Sequence, residues 1–307
     1  MVAKQSRYNS YNTFLRERFG ERVQKIALEA AFSCPNRDGT RGRGGCSYCD
    51  SSGSGFGPAF QSPDVRQQAL SGIQAMQSRY GAKKFIVYFQ SFCNTYAPLA
   101  QLRSLYDRVV DLPGIVGLSV ATRPDCLNPE VLELLAEYSE RMMVTLELGL
   151  QSMHDETLTR INRGHTFAEF VEGYELARRY PLRICPHIII GLPGETAEHV
   201  HSTALELARL KPDAVKIHCL YIHKGTALEQ EFLRGDFQPI SREEFVSQAC
   251  DVLEHLSPDT VIERLTGDPL KSRLVAPEWT LQKQENLRSI DRELLRRDTH
   301  QGHYWKA

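Results

Sequence analysis

The chain has 307 residues, 41% hydrophobic and 24% charged, the proportions of a folded globular protein and not of a disordered one. Its longest apolar runs, such as ICPHIIIGL, fall well short of the roughly 18 residues a membrane span needs, and the opening MVAKQSRYNSYNTF lacks the apolar core of an export signal. A cytoplasmic protein without membrane contact is therefore expected, and a net charge of -1 means that any nucleic acid would have to be held by a local patch.

In chain order, KIALEAAFS, KFIVYF, GIVGLSVA, MMVTLELGL, LRICPHIII, AVKIHCLYI and TVIERL read as buried strands, rich in β-branched and apolar residues. Helical patterns separate most of them. Asn128-Pro129-Glu130 supplies an N-cap and an N1 proline ahead of VLELLAEY, while Thr166 with Glu169 and Ser241 with Glu244 have capping-box spacing. This alternation predicts an α/β fold, a partial or full (β/α) barrel of parallel strands over residues 1–264, with an open doubly wound sheet as the alternative. Residues 265–307 break the pattern: GDPLKSRLVAPEWT reads as a loop and LQKQENLRSIDRELLRRD as an exposed helix, together a C-terminal helical appendage.

In either architecture the chemistry belongs to the loops after the strands, and the first such loop holds CPNRDGTRGRGGCSYC. Cys46 and Cys49 form a CxxC pair, and the glycines at 39, 42, 44 and 45 let the chain turn back so that Cys34 can join them. Eight cysteines without an export signal are expected to remain thiols or to bind something. Three thiolates suit an iron-sulfur cluster with one iron open to an outside ligand. Structural zinc needs a fourth ligand, a thioredoxin-like pair gives Cys34 no role, and inert buried cysteines are the remaining alternative.

Read with the segments that follow, the chain resembles the radical S-adenosylmethionine (SAM) superfamily, in the branch of the Elongator catalytic subunit and the oxygen-independent coproporphyrinogen oxidases. VYFQSFCNTY (87–96), ATRPDCL (121–127), ELGLQSMHDETLTRINRGHT (147–166), IIIGLPGET (188–196) and HKGTALE (223–229) resemble that branch's segments after strands two to six, in order. The cysteine spacing departs from it, Cx11Cx2C here against the family's usual Cx3Cx2C, although Tyr48 keeps the aromatic before the last cysteine.

The resemblance implies a [4Fe-4S] cluster on Cys34, Cys46 and Cys49, with S-adenosyl-L-methionine chelating the open iron. By position, Gln90, Asn94 and Thr95 would occupy the turn near the SAM amino group, Gln151 would contact the ribose, and Arg163 the carboxylate through charge-assisted hydrogen bonds. Glu147 would be a further hydroxyl acceptor, and Gly191 with Gly194 would let backbone approach the adenine. For each there is a plainer role: Arg163 at a helix end, Gln151 as a cap, Glu147 as a paired barrel carboxylate, the glycines as turns.

An electron donor such as flavodoxin or ferredoxin would reduce the cluster, and SAM would be cleaved to a 5′-deoxyadenosyl radical. ATRPD and ELGLQS tilt the analogy toward a tRNA wobble-uridine side chain as substrate. Ala121 stands where the coproporphyrinogen-oxidase type has a carboxylate, a departure that counts against that type's substrate; a tetrapyrrole-like small molecule is nonetheless the alternative, and a non-catalytic metal scaffold a third reading. His187, Lys216 and His218 are candidate substrate contacts on strands five and six, and Cys93 and Cys126 are candidate hydrogen donors, each against a packing role. Arg288, Arg292, Arg296 and Arg297 have spacing for phosphate contact, but Glu285, Asp291, Glu293 and Asp298 lie among them, which favours a solvated helix.

Overall fold

The structure is a computed structural model and describes residues 6–53 and 62–306. The strands β1 (Val23–Leu28), β2 (Lys84–Phe89), β3 (Ile115–Thr122), β4 (Met143–Gln151), β5 (Arg183–Ile190) and β6 (Ala214–Cys219) pair parallel in that order. After β7 (Ile222–His223), a short strand outside the sheet, β8 (Val261–Arg264) adds parallel to β6 as the seventh strand, giving a curled half-barrel. A third short strand, β9 (Leu274–Ala276), pairs antiparallel with β7, so the segment read as a loop contains a strand that no periodicity over three residues could reveal. The β8 edge is covered by the N-terminal segment, where Ile262 N–H donates to the Asn9 carbonyl at 2.8 Å.

The helices in chain order are α1 (Tyr11–Phe19), α2 (Val65–Tyr80), α3 (Leu99–Val110), α4 (Pro129–Ser139), α5 (Asp155–Arg160), α6 (Phe167–Ala177), α7 (Ala197–Leu210), α8 (Ala227–Arg234), α9 (Arg242–His255) and α10 (Lys283–Arg297). Their starts are chemically fixed. The Asn128 side chain accepts from Val131 N–H at 2.9 Å, and both expected capping boxes form, Thr166 with Glu169 and Ser241 with Glu244.

Alternation along β4 shows how the barrel sorts its residues. Val144, Leu146, Leu148 and Leu150 join the main core, whereas Glu147, Gly149 and Gln151 line the inner cavity. Aromatics from the outer helices, among them Tyr106, Phe170 and Phe245, complete that core. The appendage is firmly seated. Ile290 and Leu294 of α10 are buried in the same core, and Gln301 beyond it donates to the Ser257 and Thr260 carbonyls at 2.6 and 2.8 Å.

Candidate active site

A cavity of about 800 Å³ runs inside the half-barrel, and Cys34, Cys46 and Cys49 line one end of it. The loop that carries them is built around a finger. Gly45 N–H donates to the Asn36 carbonyl at 2.9 Å, closing its base, and Asp38 bridges antiparallel to Arg43 within it. The CxxC turn is closed by Cys49 N–H on the Cys46 carbonyl, also at 2.9 Å. Two glycines are sterically required, since a Cβ at Gly42 would meet Asn36 Oδ1 at 2.3 Å and one at Gly45 would meet Arg37 Nε at 2.7 Å. The loop is clamped from the chain after α5. Asn36 Nδ2 donates to the Asn162 carbonyl at 2.5 Å, Asn162 Nδ2 returns a bond to Gly45, and Ser47 N–H reaches the Ile161 carbonyl.

Burial alone would raise the Cys46 thiol, but Arg163 and Arg123 pull it below its ordinary value, which favours the thiolate that ligates iron. Cys34 is raised by burial, and Tyr48, against the Cys46 sulfur, is raised well above the ordinary phenol value by burial and that neighbour. Among the described residues no three His, Cys, Asp or Glu side chains close around a metal position, so the three cysteines share a wall without forming a closed set. Their thiols, none of them in a disulfide, the cation beside Cys46 and the adjoining cavity fit a cluster with one open corner.

Around the cysteines, Tyr48, Gln90, Gln151 and Arg163 all line the cavity. Arg163 is buried, its Nη1 3.6 Å from Cys46 Sγ, its Nη2 donating to the Gly149 carbonyl at 2.8 Å and its Nε to His165 Nε2 at 2.9 Å. Gln151 has φ 75°, the left-handed region, beside an irregularity in the β4–β5 register. Gly149 is a site residue that sequence reasoning missed, since a Cβ there would stand 2.5 Å from Arg163 Nη2 and 2.7 Å from Gln151 Nε2. Glycine inside a strand was its signal.

Other expected contacts stand elsewhere. Asn94 and Thr95 are buried outside the cavity lining. Asn94 Nδ2 donates to the Ser91 and Ala121 carbonyls at 3.0 Å, and Thr95 shares a hydrogen bond with Thr122 at 2.5 Å and donates to the Cys126 carbonyl at 2.9 Å. Polar side chains at a buried turn serve its backbone first. Gly191 has φ 92° and also lies off the lining, with the space beside it filled by Ile240, 3.1 Å from where a Cβ would sit. Gly194 likewise turns the chain off the cavity wall. Cys93 is fully buried against Thr122, its sulfur 3.1 Å from Oγ1.

The other end of the cavity is ionic. Glu147, with a fully buried side chain, accepts from Lys25 Nζ at 2.7 Å and from Lys216 Nζ, and Nε2 of His187 lies 3.0 Å away. It is thus a paired barrel carboxylate and not a free hydroxyl acceptor. Burial alone would raise its carboxyl, but Lys216 and Lys25 hold it well below the usual range. Glu263 accepts a second bond from Lys25 at 2.9 Å. Burial lowers His187 to about 4, with Lys216 adding to the effect, so the imidazole is neutral at physiological pH. His218 is also held low by burial and then by Arg264. His187, Lys216 and His218 all line the cavity, together with Lys25, Glu263 and Arg264, which sequence reasoning missed. Strand alternation placed Lys25 inward, but nothing local announces its partners on β4 and β8.

The arginines of α10 are spoken for. Arg292 pairs with Glu285, Arg296 with Glu293 at 2.7 Å, and Arg297 with Asp251, Glu254 and Glu293 at 2.5, 3.0 and 2.8 Å. No described helix is long and apolar enough to cross a membrane.

Residues 37–207 match the Radical SAM superfamily and residues 212–296 the Radical_SAM C-terminal domain. The chain therefore belongs to the radical SAM superfamily and is a radical SAM enzyme, with a [4Fe-4S] cluster and SAM as the cofactors that membership implies. It is 39% identical over 302 residues to protein YtqA of Bacillus subtilis (strain 168), a match covering 98% of this chain and 94% of that one. A shorter match, 31% over 135 residues, links 43% of this chain to 24% of the tRNA uridine(34) acetyltransferase of Methanocaldococcus jannaschii. The solved structure of the archaeal Methanocaldococcus infernus Elp3, N-terminally truncated, shares the fold with a TM-score of 0.71 at 17% identity, over 91% of this chain and 64% of that one. This chain thus spans less than two thirds of that Elp3 chain.

Proposed function

We propose that Cys34, Cys46 and Cys49 hold the cluster, that SAM lies between them and Gln151, and that the enzyme acts on a tRNA wobble-uridine side chain in the cytoplasm. The observation that carries the cofactor reading is the meeting of the three cysteines with Arg163 and Gln151 on one cavity wall. When bound, the cluster and SAM supply a 5′-deoxyadenosyl radical by reductive cleavage of the sulfonium. Arg163, already anchored to Gly149 and His165, keeps cavity-facing charge for the SAM carboxylate, and the Gln90 and Gln151 amides offer partners to its amino group and ribose. The half-barrel walls keep water from the reacting centre. Flavodoxin or ferredoxin serves as electron donor.

The tRNA reading is supported by the match to a tRNA uridine(34) acetyltransferase and by the ATRPD and ELGLQS segments. It is tested by comparing modified nucleosides in bulk tRNA from cells with and without this protein. A changed wobble-uridine profile is expected, and an unchanged one would overturn the substrate. Anaerobic reconstitution tests the cofactors separately: about four irons per chain and release of 5′-deoxyadenosine on reduction are expected, whereas a colourless protein with one zinc would leave a scaffold.

A further inference from the structure

The ionic end of the cavity is charged beyond what its own pairs consume. Lys25 bonds Glu147 and Glu263 at 2.7 and 2.9 Å, and Lys216 bonds Glu147 and lies 3.9 Å from Glu263, so two ammonium groups face two carboxylates. Arg264 is a third cation on the same wall, and its guanidinium makes no hydrogen bond or ion pair among the described residues. Beside it two buried polar atoms also lack a hydrogen-bond partner: Glu263 Oε1, on a fully buried side chain, and His218 Nδ1. A barrel interior filled only for stability would be packed with apolar side chains, and a buried charge or acceptor without a partner is costly.

The backbone explains how adjacent residues face the same space. In a regular strand Glu263 and Arg264 would point to opposite faces. The β6–β8 register shifts here, with Val215 opposite Ile262 but Lys216 opposite Arg264, and this irregularity lets both side chains line the cavity. The result is a guanidinium and a carboxylate oxygen, neither with a partner among the described residues, from neighbouring positions on the wall of one cavity that His218 also lines.

We propose that this end of the cavity binds a small amino-acid-type molecule, with its carboxylate on Arg264 and its amine on Glu263 Oε1. Such a zwitterion supplies the two groups the wall lacks and adds no net charge to the interior. It is a substrate or co-substrate distinct from SAM, and it rests on the radical SAM reading for its chemistry but not for its binding.

The test is calorimetry and ligand-observed NMR on the cluster-reconstituted protein with SAM present. The probes are glycine, β-alanine and γ-aminobutyrate, with acetate and methylamine as half-ligands. At least one zwitterion is expected to bind about tenfold or more tightly than either half-ligand. Glu263→Gln and Arg264→Gln should each weaken it by about tenfold or more, and Arg264→Lys, which keeps the charge, by less. Thermal melts establish that the variants are folded; if a Gln variant is not, Glu263→Asp and Arg264→Lys carry the comparison, and each must still weaken binding. Half-ligands that bind as well as every zwitterion, no binding at all, or binding indifferent to both positions would overturn the proposal. Iron content and 5′-deoxyadenosine release in the same samples report on the cofactor reading, so the two can fail independently.

Discussion

Arg163 Nη1 stands 3.6 Å from Cys46 Sγ, and both residues are largely buried in the cavity wall. Charge at that range in a desolvated site favours the thiolate over the thiol. Replacing Arg163 with Gln should therefore raise the Cys46 pKa, and in cluster-free protein peptide-resolved alkylation of Cys46 should slow at neutral pH. Arg163→Lys should restore part of the rate. Equal rates in all three proteins would show that the guanidinium does not govern this sulfur.

Alanine at Cys34, Cys46 or Cys49 should abolish iron retention and 5′-deoxyadenosine formation, because a cluster on three thiolates has none to spare. Cys185→Ala and Cys250→Ala, at buried positions in the core, should keep iron and lose only about 1–2 kcal/mol of stability. Iron analysis beside urea unfolding separates the two groups. Iron retained in any of the first three variants would remove that cysteine from the ligand set.

Stability should fall as the solution is acidified. Burial lowers His165 and His187 to about 3 and about 4, from an ordinary 6.5. The unfolded chain takes up protons below 6.5 while the fold resists, so the stabilisation is whole above that value and drains away as pH falls toward 4. Between about pH 7 and 5 the two groups together should remove about 2–4 kcal/mol, read as a drop in the urea midpoint. His187→Asn should flatten the dependence by about half in the same window. A midpoint constant from neutral to acid would refute this.

On α10, neighbouring arginines should differ sharply. Arg296 is exposed and, among the described residues, pairs only with Glu293, so Arg296→Ala should change stability by less than about 1 kcal/mol. Arg297 ties α10 to Asp251 and Glu254 of α9 and also bonds Glu293 on its own helix, and Arg297→Ala should cost about 2–4 kcal/mol by leaving Asp251 and Glu254 without that cation. Denaturation of both variants checks the contrast, and similar losses would mean that the helix is not fastened by this residue.

What could be read from the sequence was what is local. Capping boxes at Thr166 and Ser241 and the N-cap at Asn128 depend on residues a few positions apart and formed as expected, and each strand run holds a strand, although the first ends at Leu28 and the sixth at Cys219, short of the apolar runs. The ionic chamber was hidden because its members lie on separate strands, with Lys25 bonded to a carboxylate 238 residues away. Asn94 and Thr95 misled for a related reason: a polar residue after a strand looks the same whether it faces a ligand or ties down its own turn. Arg264 needed the irregularity of β8, which alternation alone does not foresee.

The finger between Cys34 and Cys46 alters what distance along the chain means. Because Gly45 N–H bonds the Asn36 carbonyl, a path that crosses this bridge passes only Pro35, Asn36 and Gly45 on its way from one sulfur-bearing residue to the next, which is the interval usual in the superfamily. The additional residues form a detour whose two ends are tied together. A spacer folded in this way can change in length without disturbing what it spans, and a signature counted in consecutive letters will overlook it.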